Sequence, residues 1–153
     1  ADRQRDRVLG LIDKGKNEGA RVTTGGGRPA FDTGFFVDPT VFADVTNDMT
    51  IAREEIFGPV LSVIAYDGVD DAVAIANDSP YGLSGSVWGA DGAAAADIAR
   101  RMDTGTVTIN HFGMAFGAPF GGYKDSGLGR ELGPEGVDAY LQKKSISLDP
   151  AAG

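Results

Sequence analysis

The chain has 153 residues, of which 42% are hydrophobic and 24% charged, with no cysteine, one histidine and a formal net charge of -8. That is ordinary globular composition for one domain or a large piece of one, and it excludes disulfides, zinc-thiolate and multi-histidine metal sites, and any thiol nucleophile. The acidic balance argues against nucleic acid or an anionic membrane as partner, no apolar run approaches the roughly 20 residues of a bilayer span, and the charged opening ADRQRDR is the reverse of a signal peptide, so a cytoplasmic protein is expected.

Residues 3 to 18 place Val8, Leu11 and Ile12 at helical spacing among charges, with Gly19 where a C-terminal cap belongs, and predict an amphipathic helix. A short β-like run, Arg21 to Thr24, closes on Gly25-Gly26-Gly27, and a turn-rich passage with Pro29 and Gly34 follows. Phe35-Phe36-Val37 and Thr40-Val41-Phe42, on either side of Pro39, suggest short extended pieces. From Val60 the pattern becomes regular. VLSVIAYD predicts a strand, Asp70 to Asn77 a helix with Asp70 or Asp71 near its cap, and SPYG a turn. SGSVW is a second strand of this series, Asp91 to Met102 an alanine-rich helix ending by Gly105, and Thr106 to Ile109 a third strand. Strands alternating with helices indicate βαβ units, so the expected class is α/β, with a mostly parallel sheet covered by helices.

Beyond Asn110 the glycines at 113, 117, 121, 122, 127, 129 and 133 rule out a regular element and predict an irregular loop. It leaves the carboxyl end of a strand, which is where ligands of open parallel sheets gather. A helix through Val137 to Leu141, a β-like Ser145 to Leu148 and a frayed DPAAG tail complete the expectation. Two phosphate-loop matches fail. GLIDKGKN has the GxxxxGK spacing, but Asn17 stands where a magnesium-binding Ser or Thr is needed and the segment lies inside a helix. GLGRELG has GxGxxxG spacing and follows a loop instead of a strand.

Five stretches carry a resemblance: EEIFGPV at 54–60, NDSPYGLSGSVW at 77–88, GTVTIN at 105–110, PFGGYKDSG at 119–127 and GRELG at 129–133. In this order they resemble the aldehyde dehydrogenase family, and the similarity extends from DRVLGLIDKGKNEGA to QKKSISLD. The resemblance implies a three-layer α/β catalytic domain, of which residues 1–141 would be the later half and residues 142–153 an oligomerisation-type β arm with its tail. It implies a homo-oligomer, NAD or NADP as cofactor and an aldehyde as substrate.

A carboxylate can accept both hydroxyls of a ribose through charge-assisted bonds, and the resemblance makes Glu55 that residue for the nicotinamide ribose. Phe57 would contact the nicotinamide side. The plainer reading of the motif has Glu54 and Glu55 as solvated charges, with Ile56 and Phe57 in the core. Phe112, Phe116 and Phe120 lie four apart around the glycine-rich loop, and the resemblance places aromatic residues here along the aldehyde tunnel. Phe116 and Phe120 are the substrate-pocket candidates; for Phe112, packing against the sheet is an equal alternative. Such walls would suit an aromatic or aliphatic aldehyde. His111 reads as a hydrogen-bonded structural residue, and no catalytic or metal-ligating residue is assigned.

The resemblance places the cysteine nucleophile, the general-base glutamate, the oxyanion-holding asparagine and the nucleotide-binding domain upstream of Ala1. The expectation is therefore a cut enzyme, inactive alone, whose complete form oxidises an aldehyde to a carboxylic acid. Two alternatives stand beside it: a natural truncated relative serving as a binding or assembly module, and one remodelled for non-redox chemistry.

Overall fold

The computed structural model describes residues 1–31 and 33–152; Gly153, the last residue of the expected tail, lies outside them. The chain divides into two compact units, Ala1–Ser79 and Pro80–Gly153.

The first unit is organised by α1 (Asp2–Asn17), whose buried residues Val8, Leu11, Ile12 and Gly15 follow the i, i+3, i+4, i+7 spacing of one helical face. The helix stops as Gly19 turns to φ 99°, and the Ala20 amide returns to the Gly15 carbonyl at 3.0 Å. Against its apolar face lie β1 (Arg21–Thr24), β2 (Thr40–Ala43) and β3 (Val60–Ser62), in the order β1-β2-β3. β1 runs antiparallel to β2 with an irregularity between Val22 and Thr24, and β3 runs parallel to β2.

Alternation along β2 turns Thr40 and Phe42 inward. Phe42 and Ile12 are fully buried, and each such burial contributes about 2–3 kcal/mol. Thr40 survives inside because its hydroxyl donates to the Asp38 carbonyl at 2.8 Å and accepts from the Gly26 amide at 2.9 Å. The core closes with Leu11, Val45, Ile51 and Ile56. Ile51 belongs to a four-residue helix, α2 (Thr50–Arg53), which the sequence pattern did not predict. Gly15 is required here, since a Cβ would sit 2.8 Å from Ile51 Cδ1. The strand expected over Val60 to Asp67 is regular only over Val60–Ser62, and residues 35–37 join no ladder among the described residues. The unit ends with α3 (Val69–Asn77), which carries Asp70 and Asp71 in its first turn, where carboxylates suit the helix dipole.

The second unit contains a complete βαβ element. β5 (Ser84–Val87) and β6 (Thr106–Ile109) pair in parallel, Ser84 opposite Thr106 through Val87 opposite Ile109, and α4 (Gly92–Arg100) connects them and packs on both. Asp91 starts α4 by accepting the Ala93 and Ala94 amides at 2.9 and 3.1 Å, a cap worth about 1 kcal/mol. The expected SPYG turn gives way to a short strand, β4 (Tyr81–Gly82), antiparallel to β7 (Tyr123–Lys124). The last helix, α5, runs Gly133–Asp138, earlier than the expected 137–141, because Pro134 fits the first turn of a helix. Residues 142–149 form no strand within this chain. The fold is thus α/β, with parallel pairings at β2-β3 and β5-β6 and antiparallel ones at β1-β2 and β4-β7.

Candidate functional site

In the first unit, Glu55 and Phe57 flank a turn that the core and α1 hold together. Ile56 points inward and is buried, whereas Phe57 is 76% exposed. Of the two residues that the plainer reading assigned to the core, one is there and the other is not. Phe57 has φ 55°, a left-handed conformation that costs an ordinary residue roughly 1–2 kcal/mol.

Contacts from α1 offset that strain. The Gln4 amide donates to the Phe57 carbonyl at 2.9 Å, and the Arg7 guanidinium donates to the carbonyls of Ile56 and Glu55, both at 2.7 Å. Gly58 lies directly on α1, where a Cβ would approach Val8 Cγ2 to 2.7 Å. Among the described residues, the Glu55 side chain is exposed and engaged by no hydrogen bond or ion pair, so its carboxylate stands free to accept a ligand's hydroxyls. An exposed carboxylate and an exposed aromatic ring on one pinned turn fit a ribose and an adjoining flat ring.

In the second unit, the glycine-rich loop closes over one face of the β5–β6 pair. Gly85 faces Met102, whose Cε would lie 2.6 Å from an added Cβ. The alternate residues Ser84, Ser86, Thr106 and Thr108 therefore floor the opposite face, under a cavity of about 470 Å3 walled by Phe112, Met114, Ala115, Ala118, Pro119 and Phe120. Small-molecule sites typically occupy roughly 300–1,000 Å3 with mostly apolar walls and a few hydrogen-bonding groups.

The loop is pinned at both ends. Asn110, itself at φ 56°, exchanges two hydrogen bonds with Gly89 at 2.8 Å each, tying the carboxyl ends of β5 and β6 together. Phe120 exchanges backbone bonds of 2.7 Å with Glu131, and the Arg130 guanidinium donates to the Gly122 and Gly129 carbonyls while lying 5.4 Å from the Tyr123 ring centroid. Gly105 and Gly121 interlock so closely that a Cβ on Gly105 would fall 1.6 Å from the Gly121 carbonyl oxygen.

Of the aromatic residues singled out in the sequence, Phe120 and Phe112 line this cavity, the latter while 95% exposed. Phe116 is exposed and stands outside the lining, on the turn closed by the Ala118 amide and the Ala115 carbonyl at 2.9 Å. His111 donates from Nδ1 to the Ile109 carbonyl at 3.0 Å. The pattern did not single out Gln4, Arg7, Met114 or the hydroxyl floor. Only the i, i+3 spacing of Gln4 and Arg7, which puts both on one helix face, could have drawn attention to the first two.

No group of acidic or histidine side chains among the described residues could hold a metal ion, and no described helix is long and apolar enough to cross a membrane.

The aldehyde dehydrogenase family model matches residues 1–146. A geranial dehydrogenase from Castellaniella defragrans is 60% identical over 144 residues, covering 94% of this chain and 30% of that protein. A crystal structure of a Mycobacterium tuberculosis aldehyde dehydrogenase complexed with NAD+ superposes with a TM-score of 0.94 at 58% identity, over 97% of this chain and 31% of its own. A mutant of aldehyde dehydrogenase C from Pseudomonas syringae, complexed with NAD+ and octanal, gives 0.92 at 49% identity, over 95% and 30%. The chain thus spans about 30% of the length of the relatives it matches.

Proposed function

Since the chain belongs to the aldehyde dehydrogenase family, we propose that it is the part of an NAD- or NADP-dependent enzyme that receives the nicotinamide end of the cofactor and forms one wall of the aldehyde site. The observation that carries this reading is the turn at Glu55 to Phe57. It holds an aromatic ring 76% exposed on a strained backbone, beside a free carboxylate, and the fold commits three hydrogen bonds to keeping it so. Strain maintained by surrounding contacts is a mark of functional sites.

In the complete protein, Glu55 accepts the hydroxyls of the nicotinamide ribose and Phe57 flanks the ring. NAD or NADP supplies the hydride acceptor for oxidation of the aldehyde to a carboxylic acid. Phe120 and Phe112 bound the apolar end of the substrate, Phe116 stands at the rim, and the floor of Ser86 and Thr108 offers hydroxyls to its polar end. The geranial dehydrogenase and the octanal complex among the relatives favour an apolar aldehyde. Residues 142–149, with Ile146 and Leu148 exposed and no ladder among the described residues, serve as the arm that pairs with a second copy.

The chain has no cysteine, so these 153 residues by themselves hold no thiolate to attack the carbonyl. Mixed with an aldehyde and NAD, they yield no NADH absorbance; sustained turnover overturns that statement. In the intact protein, Glu55→Gln is expected to weaken NAD binding roughly tenfold, the scale of one charge-assisted hydrogen bond. A calorimetric Kd equal to that of the parent refutes the assignment of Glu55.

A further inference from the structure

Gln4 and Arg7 sit three residues apart on α1, at helical spacing from Val8 and Leu11 of its buried stripe, and both grip the same distant turn. Three successive carbonyls, those of Glu55, Ile56 and Phe57, are taken up by these two side chains. Arg7 supplies two of the three bonds. A planar guanidinium can satisfy two neighbouring acceptors at once from a fixed fork, whereas a lysine ammonium on the same stem is a single point charge. The grip falls where the chain most needs it, because the turn contains Phe57 in a left-handed conformation and Gly58 pressed against Val8. Flanking hydrogen bonds bracket the turn, with the Glu54 amide on the Thr50 carbonyl and the Val60 amide on the Gly58 carbonyl, each at 2.8 Å.

We propose that Arg7 is a positioning residue for the nicotinamide end of the cofactor. It acts through the carbonyls of Glu55 and Ile56, which it holds so that the Phe57 backbone stays left-handed and the Glu55 and Phe57 side chains stay presented outward. Gln4 completes the hold at Phe57. A binding residue is only as well placed as the groups that lock it, and here the lock is on another element. The inference rests on the assignment of Glu55 and Phe57 to the cofactor, and it adds a residue that need not touch the cofactor at all.

The test compares the intact parent protein with Arg7→Met, Arg7→Lys and Glu55→Gln, using hydrogen exchange of the 54–60 segment without cofactor, calorimetric Kd for NAD, and KM for the aldehyde. Arg7→Met is expected to quicken exchange at the Glu54 and Val60 amides, raise the NAD Kd roughly tenfold and leave the aldehyde KM unchanged. Arg7→Lys, which keeps one of the two bonds, is expected to fall between Arg7→Met and the parent in both exchange and Kd. If exchange across the turn in Arg7→Met equals the parent's, the positioning role is wrong, whatever the affinity. If exchange quickens while the Kd holds, and Glu55→Gln still weakens binding, Arg7 shapes the turn without serving the cofactor and the proposal also fails. If neither Glu55→Gln nor Arg7→Met changes the Kd, the assignment of Glu55 is what has failed, and the role for Arg7 falls with it. Should Arg7→Met not fold, Arg7→Lys carries the same comparison, and parent-like exchange and Kd in that variant overturn the inference.

Discussion

Gly105→Ala is the smallest change that should damage both the fold and the site. The added Cβ would lie 1.6 Å from the Gly121 carbonyl oxygen and 2.8 Å from its carbon. Real Cβ atoms essentially never come within 3.0 Å of a neighbour, so the two strands of chain must part by about 1.4 Å. Overpacking against a side chain costs about 1–3 kcal/mol because the side chain can swing away. Here the obstacle is backbone, and Gly121 cannot retreat freely because its neighbour Phe120 is bridged to Glu131. We expect a loss of at least about 3 kcal/mol, at the upper end of that range. Phe120 should shift with the loop and raise the KM for the aldehyde. Chemical denaturation and steady-state kinetics of the intact protein measure the two effects. Gly113→Ala is the control within the same loop, since its nearest neighbour, His111 Cδ2, would be in ordinary contact at 3.5 Å. A Gly105→Ala protein with the parent's denaturation midpoint and KM would refute the interlock between the two glycines.

Gly10→Ala, on α1 with nothing within 4 Å of the new methyl, should stabilise the protein by about 0.5–1 kcal/mol in the same denaturation assay. Phe120→Ala is expected to raise the aldehyde KM several-fold with the NAD Kd unchanged, while Phe116→Ala, outside the cavity lining, moves it less; equal effects would argue against this wall. Glu18 accepts both the hydroxyl and the amide of Thr50, and these bonds, aided by Lys14, hold its carboxyl below the ordinary 4.5. A depressed folded-state value gives stability that is present above pH 4.5 and lost as the pH falls through the folded value. Thr50→Val should therefore move the Glu18 carboxyl back toward 4.5 in an NMR titration and weaken the acid dependence of stability.

What could be foreseen from the sequence was local and periodic. The face Val8, Leu11, Ile12 recurs at helical spacing, and SGSVW, the alanine-rich run from Asp91 to Met102 and TVTI spell out a strand, a helix and a strand without reference to anything distant. Features that depend on partners were not foreseeable. β4 and β7 are two residues each and exist only because Tyr81 lies opposite Lys124. Ser145 to Leu148 alternates like a strand, but alternation makes a ladder only where a neighbouring strand is present. At the turn, EEIFGPV does not reveal which of Ile56 and Phe57 turns inward; that is decided by the left-handed φ at Phe57. Arg7 and Gln4 escaped notice for a related reason. Their acceptors are main-chain carbonyls, which every residue has, so nothing in the sequence beyond their i, i+3 spacing marks them.

The two anchors of the glycine-rich loop separate architecture from taste. Asn110 stitches the strand ends to one another, and the Phe120–Glu131 bridge fixes the far side. Residues 111–119 thus form a cassette suspended between fixed posts, and its side chains shape the cavity wall without carrying any rung of the β5–β6 ladder. Substitutions in that stretch can redraw what the pocket accepts at little cost to the sheet beneath. Changes at the posts have no such freedom.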